Sequence, residues 1–230
     1  MAQPLKILHL SDLHFNTGVC DWVLQGADAD IICISGDLFD DSRHCRLTTK
    51  QQIDWYLRWL DQITVPVFIC SGNHDVEENL CLDDDWLLND LTDLDEFTVD
   101  FPEPPIRVNL VSELSSDNVF IDGSISEYKG YRIGCVGYES PNLRPFKDCD
   151  IVLHHVPPSN TPVAKQGGRD WGCHELRAAL DCGELAPKVL LCGHVHKPQK
   201  SKAIVKRTQV INGGSSNIEK LNNQSLIVLV

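Results

Sequence analysis

Apolar residues fall into short runs bounded by Gly, Pro, Asn and Asp, at residues 6–10, 31–35, 65–70, 107–111, 119–122, 131–136, 151–154, 189–192, 203–211 and 226–230. Their length and β-branched content predict strands. Helical spacing appears between them. Ile53, Leu57 and Leu60 share one face of a predicted helix over 47–61, an acidic start marks a second over 85–94, and a third is predicted over 175–180. The first half therefore reads β, β, α, β, α, and the second half is richer in strands. That order predicts an α/β fold of mixed layers with two packed sheets rather than one doubly wound sheet. The Pro-containing stretch 101–105 reads as a connector inside one domain spanning 1–230, because the chemistry described below is split between the two halves. No internal repeat or low-complexity tract interrupts the pattern.

Composition narrows the class. At 230 residues the chain suits a single core that buries roughly 70–75% of its unfolded surface. The 42% hydrophobic and 23% charged content is that of an ordinary globule. No run approaches the roughly 18 apolar residues of a membrane span, and the N-terminus lacks the pattern of a secretory signal. A cytoplasmic protein without membrane attachment is expected. The ten cysteines are scattered through apolar runs such as Ile31-Ile32-Cys33-Ile34, with no Cys-x-x-Cys pair. They read as reduced thiols packed as small hydrophobes, not as a disulfide framework or zinc ribbon. A net charge of −13 disfavours tight non-specific binding to nucleic acid, and a small substrate fits better. Oligomeric state is left open.

Five polar clusters each follow a predicted strand, where α/β sheets place their sites. Asp12-Leu13-His14 has the i, i+2 spacing that puts two side chains on one side of an extended chain, as two ligands for one cation. In Gly36-Asp37-Leu38-Phe39-Asp40, the glycine permits a tight turn and Asp37 offers two oxygens able to bridge a pair of cations. In Gly72-Asn73-His74-Asp75, the Asn carbonyl can ligate metal while His74 is left for proton transfer. His154-His155-Val156-Pro157-Pro158 and Gly193-His194-Val195-His196 supply further imidazoles. Two divalent cations would bring four positive charges against two carboxylates, leaving a cationic centre able to polarise a phosphate and acidify water.

Taken in order, these clusters resemble the five motifs of the calcineurin-like metallophosphoesterases, over residues 12 to 196. The resemblance implies a four-layer α-β-β-α sandwich and a metal-dependent phosphoric ester hydrolase. It implies one metal on Asp12, His14, Asp37 and His196, and a second on Asp37, Asn73, His155 and His194. By the same resemblance Asp37 would bridge the two ions, a bridging hydroxide would attack phosphorus, His74 would protonate the leaving oxygen, and Asp40 would orient His74. The family's His-x-Pro-Pro register selects His155 over His154. Mixed N/O ligation without thiolate suits manganese, iron or zinc alike, and of these manganese is the expected metal. A phosphodiester or small phosphorylated metabolite is the expected substrate, because the stretch 170–176 resembles cyclic-nucleotide-phosphodiesterase-like members.

Other readings are weaker. A protein phosphatase of the same superfamily normally has Arg-Gly after Gly-Asp-x-x-Asp and Glu after Asn-His, whereas Asp41-Ser42 and Asp75 stand here. A repair nuclease normally adds a capping domain, and 34 residues follow His196. A non-catalytic interaction scaffold would not need the complete ligand set. His9 reads as structural, His44 as solvated, and Asp83-Asp84-Asp85 as an acidic helix start. The basic cluster of Lys197, Lys200, Lys202, Lys206 and Arg207 reads as a solvated face.

Overall fold

A computed structural model describes residues 4–26, 28–42, 44–79, 106–139, 142–216 and 226–229. In chain order the elements begin with β1 (Leu5–Leu10), α1 (Thr17–Leu24), β2 (Ile31–Ser35), α2 (Thr49–Leu60), β3 (Val67–Cys70), β4 (Val76–Asn79), β5 (Ile106–Asn109) and β6 (Val119–Phe120). They continue with β7 (Ile125–Tyr128), β8 (Tyr131–Val136), β9 (Ile151–His154), β10 (Lys165–Gln166), β11 (Arg169–Asp170), α3 (His174–Cys182), β12 (Val189–Cys192), β13 (Lys202–Val205), β14 (Thr208–Asn212) and β15 (Leu226–Leu229).

One sheet has the order β15-β1-β2-β3-β6 and the other β13-β14-β12-β9-β8-β7. In the first, β1, β2, β3 and β6 run parallel and β15 pairs antiparallel on the edge. In the second, β8, β9, β12 and β14 run parallel between antiparallel edges β7 and β13.

The strand alternation explains the layering. Leu5 and Ile7 of β1, Ile31 and Cys33 of β2, and Phe68 and Cys70 of β3 meet Ile133, Ile151, Leu153, Val189 and Leu191 of the second sheet. Their neighbours one position along, Leu8, Leu10, Ile32, Ile34, Val67 and Ile69, turn to the other face and pack with residues of α1 and α2. On the far side, Val152, Leu190 and Cys192 pack with Leu176, Ala179 and Leu180 of α3. With both faces covered, the parallel strands read as unbroken apolar runs rather than alternating ones. The result is the α-β-β-α sandwich with two packed mixed sheets.

α2 supports the loop that follows β2. A Thr48–Gln51 capping box starts the helix. From its buried face, Tyr56 Oη donates to Leu38 O at 2.7 Å, while Gln52 accepts from Asp40 N at 2.9 Å and donates to Asp40 O at 2.8 Å.

Several expectations are adjusted. The run 203–211 is a hairpin, β13 and β14, turning through Lys206 at φ 53°. The run 107–111 ends its strand at Asn109 and continues as a 3₁₀ turn, Leu110–Leu114. α1 was not expected: it is only eight residues long and buries Val19, Cys20 and Val23, too short a stripe to stand out by period. The expected helix over 85–94, its acidic start and the connector 101–105 lie outside the described residues. All nine described cysteines are free thiols, and burial pushes the thiols of Cys20 and Cys135 up to about 12. Among the described residues, no helix is long and apolar enough to cross a membrane.

Candidate metal centre

The clusters singled out in the sequence meet where β1, β2, β3, β9 and β12 end. Their backbone is not extended there. Asp12, His14, Phe15, Asp37 and His194 have φ of 50°, 43°, 56°, 55° and 66°, a left-handed conformation that non-glycine residues adopt only where the surroundings hold it. The convergence of Asp12 with His14 thus comes from this turn, not from strand alternation as the spacing suggests. Backbone hydrogen bonds between the first two loops hold it: Asp12 N to Gly36 O at 3.0 Å, His14 N to Asp37 O at 3.0 Å and Phe15 N to Leu38 O at 2.7 Å.

Asp75 fixes the next pair of loops. Buried beneath them, its carboxylate accepts hydrogen bonds from the amides of Asp37, Leu38, Phe39 and Gly72 at 2.7–3.1 Å. Burial and the neighbouring Asp37 push this carboxyl up to about 6, against those amides. Its structural role was not foreseen. The signal available was an acidic residue closing the Gly-Asn-His-Asp cluster. Gly36 and Gly72 are required for a different reason. A Cβ on Gly36 would collide with His155 Nδ1, and one on Gly72 would collide with Asp37 Oδ1.

Two donor groups result. In the first, Asp12, His14, Asp37 and His196 place one ligand atom each within 4.8 Å of one another. His196 Nε2 lies 3.2 Å from Asp12 Oδ1 and 3.3 Å from His14 Nε2, and His14 Nε2 lies 3.9 Å from Asp37 Oδ2. Ligands held at about 2.0–2.2 Å around one ion sit at such separations from each other. In the second group, Asn73 Oδ1 is 3.1 Å from His155 Nε2 and 2.9 Å from His194 Nδ1, and His155 Nε2 is 3.3 Å from Asp37 Oδ2. Asp37 belongs to both. Its Oδ1 is occupied by the His74 amide at 2.9 Å, so Oδ2 is the oxygen facing both histidine groups.

Supporting contacts orient the rings. His155 Nδ1 donates to Ser35 O at 2.8 Å, which turns Nε2 towards the site. The His194 amide donates to Asp12 at 3.0 Å. His154 points away: its Nδ1 donates to Val156 O at 2.8 Å, and burial lowers it to about 4, so it stays neutral. His155 is therefore the member of the pair that reaches Asp37 and Asn73.

The electrostatics suit a cation. Burial pushes the Asp37 carboxyl up, but the hydrogen bond and charge of His155 outweigh it and hold the group at about 2. Burial lowers His155, and Asp37 reverses the effect and raises it to about 9. A proton thus sits where positive charge is demanded, and metal binding requires its release. Burial depresses His14 and His194 towards the neutral form in which imidazole ligates. The donors are oxygen and nitrogen without thiolate, and they suit a divalent transition metal.

One expected pairing is corrected. The carboxylate on His74 is that of Asp41, whose Oδ1 accepts from Nδ1 at 2.8 Å. Asp40 Oδ1 instead accepts from the Ser42 amide at 2.8 Å, because the Gln52 clamp holds its backbone and the chain turns there. His74 also packs edge-on against His14, with ring centroids 4.9 Å apart. His9 is structural, buried with Nε2 2.8 Å from Ser35 Oγ. An open cleft of about 230 Å³ lies over the donors, lined by Asp37, Asn73, His74, Gln166, Trp171 and His196 among others.

The sequence profile of calcineurin-like phosphoesterases matches residues 5–198, which include every donor above. The chain belongs to that family. It is accordingly a metal-dependent phosphoric ester hydrolase, and the Asp12, His14, Asp37 and His196 group can hold one of the family's divalent ions. Phosphopantetheinyl hydrolase (PptH) from Mycobacterium tuberculosis shares the fold, with a TM-score of 0.55 at 12% identity over 91% of this chain and 89% of that one. A conserved uncharacterized protein from Streptococcus pneumoniae TIGR4, described as a predicted phosphoesterase, aligns at a TM-score of 0.39 and 12% identity, over 94% of this chain and 75% of that one. No individual curated protein sequence matches the chain.

Proposed function

We propose that this calcineurin-like phosphoesterase is a binuclear hydrolase of a small phosphodiester, with manganese as its working metal in a cytoplasmic setting. The observation that carries the binuclear reading is Asp37 Oδ2, which lies 3.9 Å from His14 Nε2 on one side and 3.3 Å from His155 Nε2 on the other. Asp12, His14 and His196 would hold one ion and Asn73, His155 and His194 the other, with Asp37 shared. Ions bound there would supply positive charge to phosphoryl oxygens and bring the pKa of water towards neutrality. His74 lines the cleft and has Nδ1 engaged by Asp41, so Nε2 is the nitrogen from which a proton can pass to the leaving oxygen. The buried Asp75 carboxylate accepts from the amides of Asp37 and Gly72 and so ties together the loops that carry Asp37 and Asn73. The preference for a diester rests on the 170–176 resemblance and on the absence of the protein-phosphatase residues after Asp40 and His74.

Elemental analysis of purified protein, combined with assays on an aryl phosphodiester, an aryl phosphomonoester and cyclic nucleotides, tests the proposal. Two metal ions per chain and faster diester hydrolysis are expected. Asp37→Asn is expected to lose metal pairing and turnover together. A single ion per chain at saturation, or a variant that keeps full activity, contradicts the binuclear reading.

A further inference from the structure

Among the described tryptophans, Trp22, Trp55 and Trp59 are partly or fully buried, whereas Trp171 is 49% exposed. It lines the cleft together with Asp37, Asn73, His74 and His196. An indole left in water next to a polar, metal-binding cleft gains nothing for the core, so its position calls for another account.

The segment that carries it is rigidly tied to the centre. The Trp171 amide donates to Ala164 O at 2.9 Å. On one side Asp170 accepts from the amides of Asn160 at 2.7 Å and Gly172 at 2.9 Å. On the other, Gly172 lies so close to the Ser159 backbone that a Cβ would collide with it. The preceding β10–β11 hairpin is fastened to the loop after the metal-group histidine His196: Gln166 Oε1 accepts from Lys197 N at 2.8 Å, and Lys165 O accepts from Gln199 N at 2.8 Å. The backbone that carries the indole is thereby held in register with the donor groups, which favours a preorganised surface.

We propose that Trp171 is a stacking platform for a planar aromatic group, a nucleobase or simple aryl ring, carried by the phosphoester whose phosphate lies over the metal donors. This names the substrate class of the site assigned above and rests on that assignment. A rigid π-face binds flat groups with little cost in side-chain entropy and little regard for their hydrogen-bonding pattern. Selectivity would then be for aromatic over aliphatic esters rather than for one base.

Binding decides it without turnover. On manganese-loaded protein, calorimetry with adenosine 5′-monophosphate, phenyl phosphate and ribose 5-phosphate should show the two aromatic ligands binding more tightly than the sugar phosphate. Trp171→Ala should weaken both aromatic ligands about 10-fold and leave ribose 5-phosphate unchanged, and Trp171→Phe should restore most of the loss. In hydrolysis, the alanine variant should raise KM for aryl and nucleoside diesters but not for glycerophosphocholine. Equal weakening of all three ligands, no change in any, or no aromatic preference in the parent protein would overturn the proposal. A protein that hydrolyses none of the esters would count against the phosphoesterase reading instead, and the binding comparison would still decide the role of Trp171 by itself.

Discussion

His74 illustrates how far a single side chain depends on its neighbours. Its amide fixes Asp37 Oδ1, its ring packs on His14, and its Nδ1–H is held by Asp41 at 2.8 Å. Because Asp41 and not Asp40 makes that contact, Asp41→Asn is expected to cut kcat about 10-fold or more at unchanged metal content, and Asp40→Asn by less. Stopped assays on metal-quantified variants check the order. The reverse ranking would mean that Asp40 takes the ring in the working enzyme. At this scale the residue types were readable and their partners were not: of two adjacent aspartates, the one whose backbone Gln52 clamps turns its carboxylate to Ser42 and the other meets His74, and the clamp comes from a helix that begins nine residues after Asp40.

The next scale is the loop and the element beneath it. Each donor loop leaves the end of a buried parallel strand, and those carrying Asp12, Asp37 and His194 cross into left-handed backbone there. Gly36, at φ 87°, shows what this demands. Gly36→Ala adds a Cβ against His155 Nδ1 and also strains the backbone, so a loss of about 2–4 kcal/mol in unfolding free energy is expected, together with weakened metal binding. Denaturant titration of the metal-free variant measures the first effect and metal titration the second. A stable variant with normal metal affinity would show that this loop can relax without disturbing His155. The parallel strands were legible because, covered on both faces, they read as continuous apolar runs, whereas β4, β7, β10 and β11, which pair antiparallel, were not foreseen. α1 was not, since one short buried stripe carries too few turns to reveal a period.

Across the whole molecule, the metal donors come from loops of both sheets, and an unfolded chain has no such constellation. Ions that bind only the native state therefore stabilise it. Manganese at about 100 times its Kd is expected to add about 2.7 kcal/mol, or roughly 5–10 °C in Tm, and EDTA to remove it. Differential scanning calorimetry checks this, and the same titration on Asp37→Asn should show a much smaller shift. An unchanged Tm in the parent protein would indicate that the donors do not bind the ion. The division between sequence and structure follows from the same physics. Local order sufficed for the buried parallel strands, the five polar clusters and the residue types at their tips, because strand burial and ligand chemistry are written in neighbouring residues. It took the packed sheets to set Asp41 on His74, to place Asp75 under two loops and to bring Trp171 beside the cleft. Each of these depends on distances between segments far apart in the chain, which no local pattern encodes.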